Sequence, residues 1–259
     1  MARRIDFNFS HVFDGIVWNS LVSGKNNILV LEVRNSERKQ VMFSALACGT
    51  GEFLWRNVVF DEPWWITLEA ASEAIVLFTV YMETSNPDSK GVFAYHIFDR
   101  KIVWWNNDFS LVSVSHRQVQ GLLSKYGTRS AVLDIYSGKE VEQVITSDKS
   151  PEEVIRPQQY LDDNAYFATV KTFLSRKFNL LPVIALEYLE YDSNIFISFY
   201  IQEENLANYL LIISAAGEVL MNVKLDDHLK GIGLDTFFVL SDCVFFIKNK
   251  VELFSYKLV

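Results

Sequence analysis

Cysteine and histidine are scarce in this chain, with two Cys and four His among 259 residues. Cys48 and Cys243 lie far apart, in the apolar runs LACGT and SDCVF, where a free cysteine behaves as a small hydrophobe. Buried thiols are expected there in preference to a disulfide, a metal site or a nucleophile. His11, His96, His116 and His228 stand singly, so a metal centre would need ligands from distant segments. No cofactor is expected. The G-x-S-x-G elbow, Walker loop, H-E-x-x-H, C-x-x-C and G-x-G-x-x-G are also missing, because GIGLD at Gly231 lacks the third glycine.

Long apolar runs are absent as well. The longest, FNLLPVIALEYL, holds a proline and a glutamate and falls short of the roughly 20 residues of a membrane span. At the amino terminus, MARRIDFNFSHVFDG, the polar residues Asp6, Asn8, His11 and Asp14 interrupt any export-type segment. A soluble, cytoplasmic protein is expected, in which the sequon Asn8-Phe9-Ser10 is incidental. Positive charge is in the minority, 24 Lys and Arg against 32 Asp and Glu, giving a net charge of -8. That field repels phosphate backbones and anionic lipid, so neither nucleic acid nor membrane is an expected partner.

What the chain does have is apolar bulk: 50% of residues are hydrophobic and 14% aromatic, including 20 Phe and 6 Trp, enough for a large core. Runs of β-branched and aromatic residues bounded by Gly, Asn, Asp and Lys recur from end to end, an all-β pattern. One segment repeats. ALACGTGEFLW (from Ala45) aligns without a gap on AYHIFDRKIVW (from Ala94), and VLDIYSGKEVE (from Val132) and LIISAAGEVLM (from Leu211) follow the same plan of strand, short turn and strand. The turn position is held by Gly51, Arg100, Gly138 and Gly217. Glycine suits a hairpin residue at positive φ, and at the second copy Asp99 is expected to take the strained position instead of Arg100. Equal repeats of one supersecondary unit are the mark of propellers and solenoids.

Four four-stranded units are built around these copies, with strands at 16–23, 28–34, 41–48 and 52–59; 65–70, 74–82, 91–98 and 101–105; 111–116, 120–125, 130–136 and 140–145; and 184–191, 195–202, 209–214 and 218–225. Three C-terminal strands, 235–240, 244–247 and 251–258, lack a fourth. The strand at 4–10 is expected to supply it, joining the two ends of the chain. The inserted segment, about 147–182, is punctuated by Pro151, Pro157 and Pro182. It is expected to carry one helix, capped near Asp162 to Asn164, running to about Lys177 and showing one apolar face of Phe167, Val170, Leu174 and Phe178. The expected fold is a single all-β domain over 1–259, a β-propeller of about five four-stranded blades with one inserted helix.

The two best copies resemble the propeller repeat of pyrroloquinoline-quinone-type proteins, in which a D-x-x-T-G-like turn precedes a strand with Trp. Asp stands at the turn-side position only at Asp134. The order GIVWNSL, LEVRN, EPWW and then the repeats is similar to an uncharacterised bacterial propeller-like family, mostly from Bacteroidetes. These resemblances imply a fold and no activity.

Three clusters are candidate ligand-binding positions. Glu32 and Arg34, two apart on a strand, share a face and form either an ion pair between blades or a polar lining for a ligand. Glu62, Trp64 and Trp65 lie on the connection between the first two units, where tandem Trp beside carboxylates either packs or stacks a ring. Glu187 and Glu190 lie on one strand, Glu187 on the face of Tyr191 and Glu190 on that of Asp192; two carboxylates facing one glycosidic bond would be an acid/base pair. No catalytic residue is assigned. The expected function is a non-enzymatic binding or scaffold propeller for a protein or small-molecule ligand, with a hydrolase of carbohydrates or polar metabolites as the alternative.

Overall fold

A computed structural model describes residues 4–23, 26–83, 85–115, 117–124, 127–143 and 154–259. The chain forms two compact units, one of residues 14–152 and one of residues 1–13 with 153–259. Both are built mainly from antiparallel sheets in which strands consecutive in the chain pair with each other, the exception being the strand Ile5–Val12, which pairs with Glu252–Leu258.

In the first unit one sheet runs β2 (Ile16–Ser23), β3 (Ile28–Asn35), β4 (Gln40–Ala47) and β5 (Phe53–Val58) in order. A second runs β6 (Ile66–Ser72), β7 (Ile75–Glu83), β8 (Asn86–His96) and β9 (Lys101–Asn106). A third holds β10 (Phe109–Ser115), β11 (Gln118–Leu123) and β12 (Arg129–Asp134). The strand expected at 140–145 is reduced here to the bridge Leu133–Glu140, and residues 144–153 lie outside the described residues. The middle strands β3, β4, β7 and β8 carry unbroken buried stretches, because both their faces are covered.

The other unit holds a five-stranded sheet of β13 (Gln158–Leu161), β14 (Ala185–Tyr191), β15 (Asn194–Gln202), β16 (Leu206–Ser214) and β17 (Val219–Leu229). Strand β13 is additional to the expected set. Between β13 and β14 runs α1 (Ala165–Phe178). Asn164 Oδ1 accepts from the Tyr166 N–H at 2.8 Å and Asn179 closes the C-terminus at φ 56. Its expected apolar face packs on its own sheet, with Phe167 and Leu174 buried against Leu186, Ile197 and Leu211. A last sheet has the order β1 (Ile5–Val12), β20 (Glu252–Leu258), β19 (Cys243–Lys248), β18 (Phe237–Leu240). The expected pairing of the chain's two ends is therefore present, from Ile5 opposite Leu258 to Val12 opposite Glu252.

The repeated turn has a definite hydrogen-bond scheme. Gly51, Arg100 and Gly138 each donate their N–H four residues back, to Ala47, His96 and Asp134, and Gly217 closes one residue tighter on Ser214. All four residues are left-handed, at φ 74, 54, 64 and 79. Arg100 itself, and not Asp99, takes the strained conformation; its guanidinium is anchored on the Leu54 carbonyl of the neighbouring sheet. The Trp of the repeat also has a purpose. The Trp55 indole donates to the Ile97 carbonyl at 3.0 Å and Trp104 to the Ile135 carbonyl at 2.7 Å, each reaching the corresponding turn of the next sheet. A buried indole N–H needs such an acceptor, so these residues stitch the three sheets of this unit together.

Neither cysteine is in a disulfide, and both are buried. Among the described residues no helix is long and apolar enough to cross a membrane, and no group of three or more His, Cys, Asp or Glu is placed to hold a metal ion; His116 lies outside the described residues.

Candidate functional site

Strands β2, β6 and β10 each open their sheet, and each carries a bulge against its neighbour, at Trp18, Glu69 and Val112 respectively. A bulge re-aims the extra side chain. Here it turns Trp18 outward, 65% exposed, and leaves Asn19 in register with Glu32 across the ladder. Glu32 and Asn19 then act as a pair on the edge of β6: Glu32 Oε2 accepts the Leu68 N–H at 2.8 Å, and Asn19 Nδ2 donates to the Leu68 carbonyl at 2.9 Å.

Glu32 is fully buried, and its other oxygen takes the Arg34 Nε–H at 2.6 Å. Arg34 reaches onward to the Ile66 carbonyl at 2.8 Å and the Thr67 hydroxyl at 3.2 Å. Burial pushes the Glu32 carboxyl above its ordinary range, while the Leu68 N–H and the Arg34 charge pull it partly back. The pair is a latch between the first two sheets, with each charge answered by a partner.

Trp18 and Trp64 flank the Arg34 guanidinium, each ring centroid 5.5 Å away, and the Lys39 ammonium covers Trp64 at 5.0 Å. Beside them Trp65, 45% exposed, meets Tyr81 edge to face at 6.5 Å, and Lys90 lies 5.1 Å over the Tyr81 ring. Aromatic rings and cations thus alternate at one end of these sheets. Glu62 is not a free carboxylate in this cluster: its Oε1 accepts the N–H groups of Trp64 and Trp65 at 2.9 and 2.8 Å, fixing the loop that presents them. The structure brings Glu32, Arg34, Glu62, Trp64 and Trp65 into one neighbourhood, which sequence order alone did not require.

Glu187 and Glu190 belong to the other unit and do not face each other. Glu187 is fully buried on β14 and accepts from the Asp235 N–H at 2.6 Å, the Thr236 N–H at 3.0 Å and the Thr236 hydroxyl at 2.6 Å, and Thr236 continues to Ser198 at 2.7 Å. Burial raises its pKa and these donors oppose the rise. Glu190, three residues on, emerges on the opposite, exposed face and is hydrogen-bonded to the Tyr188 hydroxyl. Tyr191 is tied to Asp242 at 2.8 Å. Glu187 therefore does for β18 what Glu32 does for β6: it satisfies backbone donors at the entry to the next sheet.

Trp18, Asn19 and Lys39 are members of the first cluster that sequence reasoning missed. Only the bulge exposes Trp18, and only the turn between β3 and β4 brings Lys39 onto Trp64.

A family described as a domain of unknown function (DUF4905) matches residues 22–104, the stretch that includes the Glu32, Arg34, Trp64 and Trp65 cluster. Among curated proteins no match was found. Solved structures similar to the chain include BamB from Moraxella catarrhalis, at 11% identity and a TM-score of 0.36, covering 93% of this chain and 85% of that one. The β-propeller domain of the Trilobed protease from Pyrococcus furiosus aligns at 10% identity and a TM-score of 0.32, over 91% of this chain and 64% of that one. A eukaryotic initiation factor aligns at 9% identity and a TM-score of 0.35, over 94% of this chain and 55% of that one.

Proposed function

We propose that the chain is a non-enzymatic binding or scaffold propeller of about five blades, acting in the cytoplasm, which presents Trp18 and Trp65 to a protein or small-molecule ligand. The observation that carries this reading is the division of labour among its candidates. Glu32, Arg34, Glu62 and Glu187 are all engaged by internal partners, while Trp18 and Trp65 keep open faces on loops and strand ends held by those same bonds. Rigid aromatics on a fixed scaffold offer contact area at little entropic cost.

The blade arrangement is supported by meandering antiparallel sheets and by the pairing of β1 with β20. The hydrolase alternative has less support, because an acid/base pair must face one bond with protons free to exchange, and Glu187 and Glu190 occupy opposite faces of β14. A thermal-shift screen against sugars, nucleotides and short peptides tests the proposal, since a ligand of the native state raises its melting temperature. Hits whose shift disappears in Trp18→Ala/Trp65→Ala support it. Turnover of a chromogenic glycoside that is abolished by Glu190→Gln would reject it in favour of the enzyme.

A further inference from the structure

The chain is acidic, yet from Ala165 to Leu186 it contains no Asp or Glu and carries Lys171, Arg176 and Lys177. Among the described residues, none of these three cations forms an ion pair with a carboxylate; Lys171 lies 5.7 Å over the Phe167 ring, and Lys177 lies 5.9 and 5.5 Å over Phe173 and Phe178. With 32 acidic residues available in the chain, such a cationic island is left for something else to neutralise.

The island borders a groove. Ala168, Lys171, Thr172, Ser175 and Arg176 form one stripe of α1 at spacings of three and four residues, and Leu181 from the following loop makes the other wall, around a cavity of about 330 Å³. Eight residues of helix rise about 12 Å, the reach of about four residues of extended chain. The inner face of α1 is already packed on its own sheet, and this stripe is the part of its outward surface that lines the groove. Thr172 has its hydroxyl bonded to the Ala168 carbonyl at 2.8 Å, which leaves Lys171 and Arg176 as the charged recognition groups.

We propose that this groove docks a short, extended acidic segment of a partner protein, with carboxylates on Lys171 and Arg176 and one apolar side chain between Ala168 and Leu181. Charge complementarity selects an acidic partner, and concavity selects a chain over a lipid surface, which an amphipathic helix meets with a convex apolar face. This surface belongs to a different unit from the tryptophan cluster, and the inference does not depend on that one.

Fluorescence anisotropy of the labelled peptide EDLEDE, titrated with the full chain, tests it. Binding should weaken at least tenfold in Lys171→Glu/Arg176→Glu, weaken with added salt, and be absent for the amide analogue QNLQNQ. Lys171→Ala/Arg176→Ala, which favours helix, keeps the comparison readable if charge reversal lowers the melting temperature. No binding of EDLEDE, equal binding by the reversed variant, or equal binding of QNLQNQ would overturn the proposal. Binding to anionic phospholipid vesicles without binding to the peptide, or self-association of the chain that Arg176→Glu abolishes, would replace it with a membrane surface or a second copy of the chain.

Discussion

The Glu32 and Arg34 latch allows a quantitative test of what holds the first two sheets together. Arg34→Leu leaves the fully buried Glu32 carboxylate with the Leu68 N–H as its remaining partner, and an uncompensated buried charge costs about 3–5 kcal/mol. Glu32→Leu is milder. Arg34 is 17% exposed and keeps the Ile66 and Thr67 oxygens, so the main loss is the orphaned Leu68 N–H, about 1–3 kcal/mol. In the double variant no charge is left unpaired, and the cost returns to roughly that of the same N–H, about 1–3 kcal/mol. The double variant should thus be more stable than Arg34→Leu alone, with a coupling energy of at least about 2 kcal/mol. Urea unfolding followed by both far-UV circular dichroism and tryptophan fluorescence measures it, with coincident curves as the check on two-state behaviour. Additive effects, within about 0.5 kcal/mol, would refute the latch.

Other consequences follow from the same contacts. Gly138 sits at φ 64, and a Cβ there would lie 2.6 Å from the Trp104 ring; Gly138→Ala should cost more than about 2 kcal/mol, read as a lowered urea midpoint. Trp55→Phe removes the bond to Ile97 and should cost about 1–3 kcal/mol by the same assay, because a buried carbonyl loses its donor. Burial raises the Glu187 pKa, so the native state holds this proton more tightly than the unfolded chain. Its contribution to stability is full below the unfolded value of about 4.3 and is lost as pH rises through the raised native value. As pH rises above about 4.3, the urea midpoint should therefore fall more steeply in the parent chain than in Glu187→Gln, and parallel slopes would contradict the assignment.

Much of the architecture was legible because period-two apolar runs separated by turn residues leave few alternatives. The first two sheets and α1 match their expected spans to within a few residues, and Asn164 announced the helix because an Asn oxygen is a good cap. Strand β13 was not legible: Gln158–Leu161 is short and half glutamine, and it is a strand only because β14 lends it a ladder. Arg100 misled for a related reason. Its side chain is tied to Leu54 in another sheet, and such tertiary support overrides the preference for glycine or aspartate.

The site was half legible. Glu32 and Arg34 stood out because charge is rare in the middle of an apolar strand, but the partner of Glu32 is a backbone N–H 36 residues away, which no side-chain pattern signals. Trp18 escaped notice because its exposure depends on a one-residue bulge, and a shift of one residue exchanges the faces of a strand. For Glu187 and Glu190 the odd spacing of three residues already placed the two carboxylates on opposite faces of the strand, but the backbone and hydroxyl donors of Asp235 and Thr236 that engage Glu187 lie nearly 50 residues away and leave no local signal.

The binding role is tested most directly by titrating the strongest thermal-shift ligand into the parent chain and into Trp18→Ala/Trp65→Ala by calorimetry. Trp18 is 65% and Trp65 45% exposed, so the double variant should keep its stability to within about 2 kcal/mol while its affinity falls at least about tenfold, or 1.4 kcal/mol. Unchanged affinity in a stably folded variant would contradict the account.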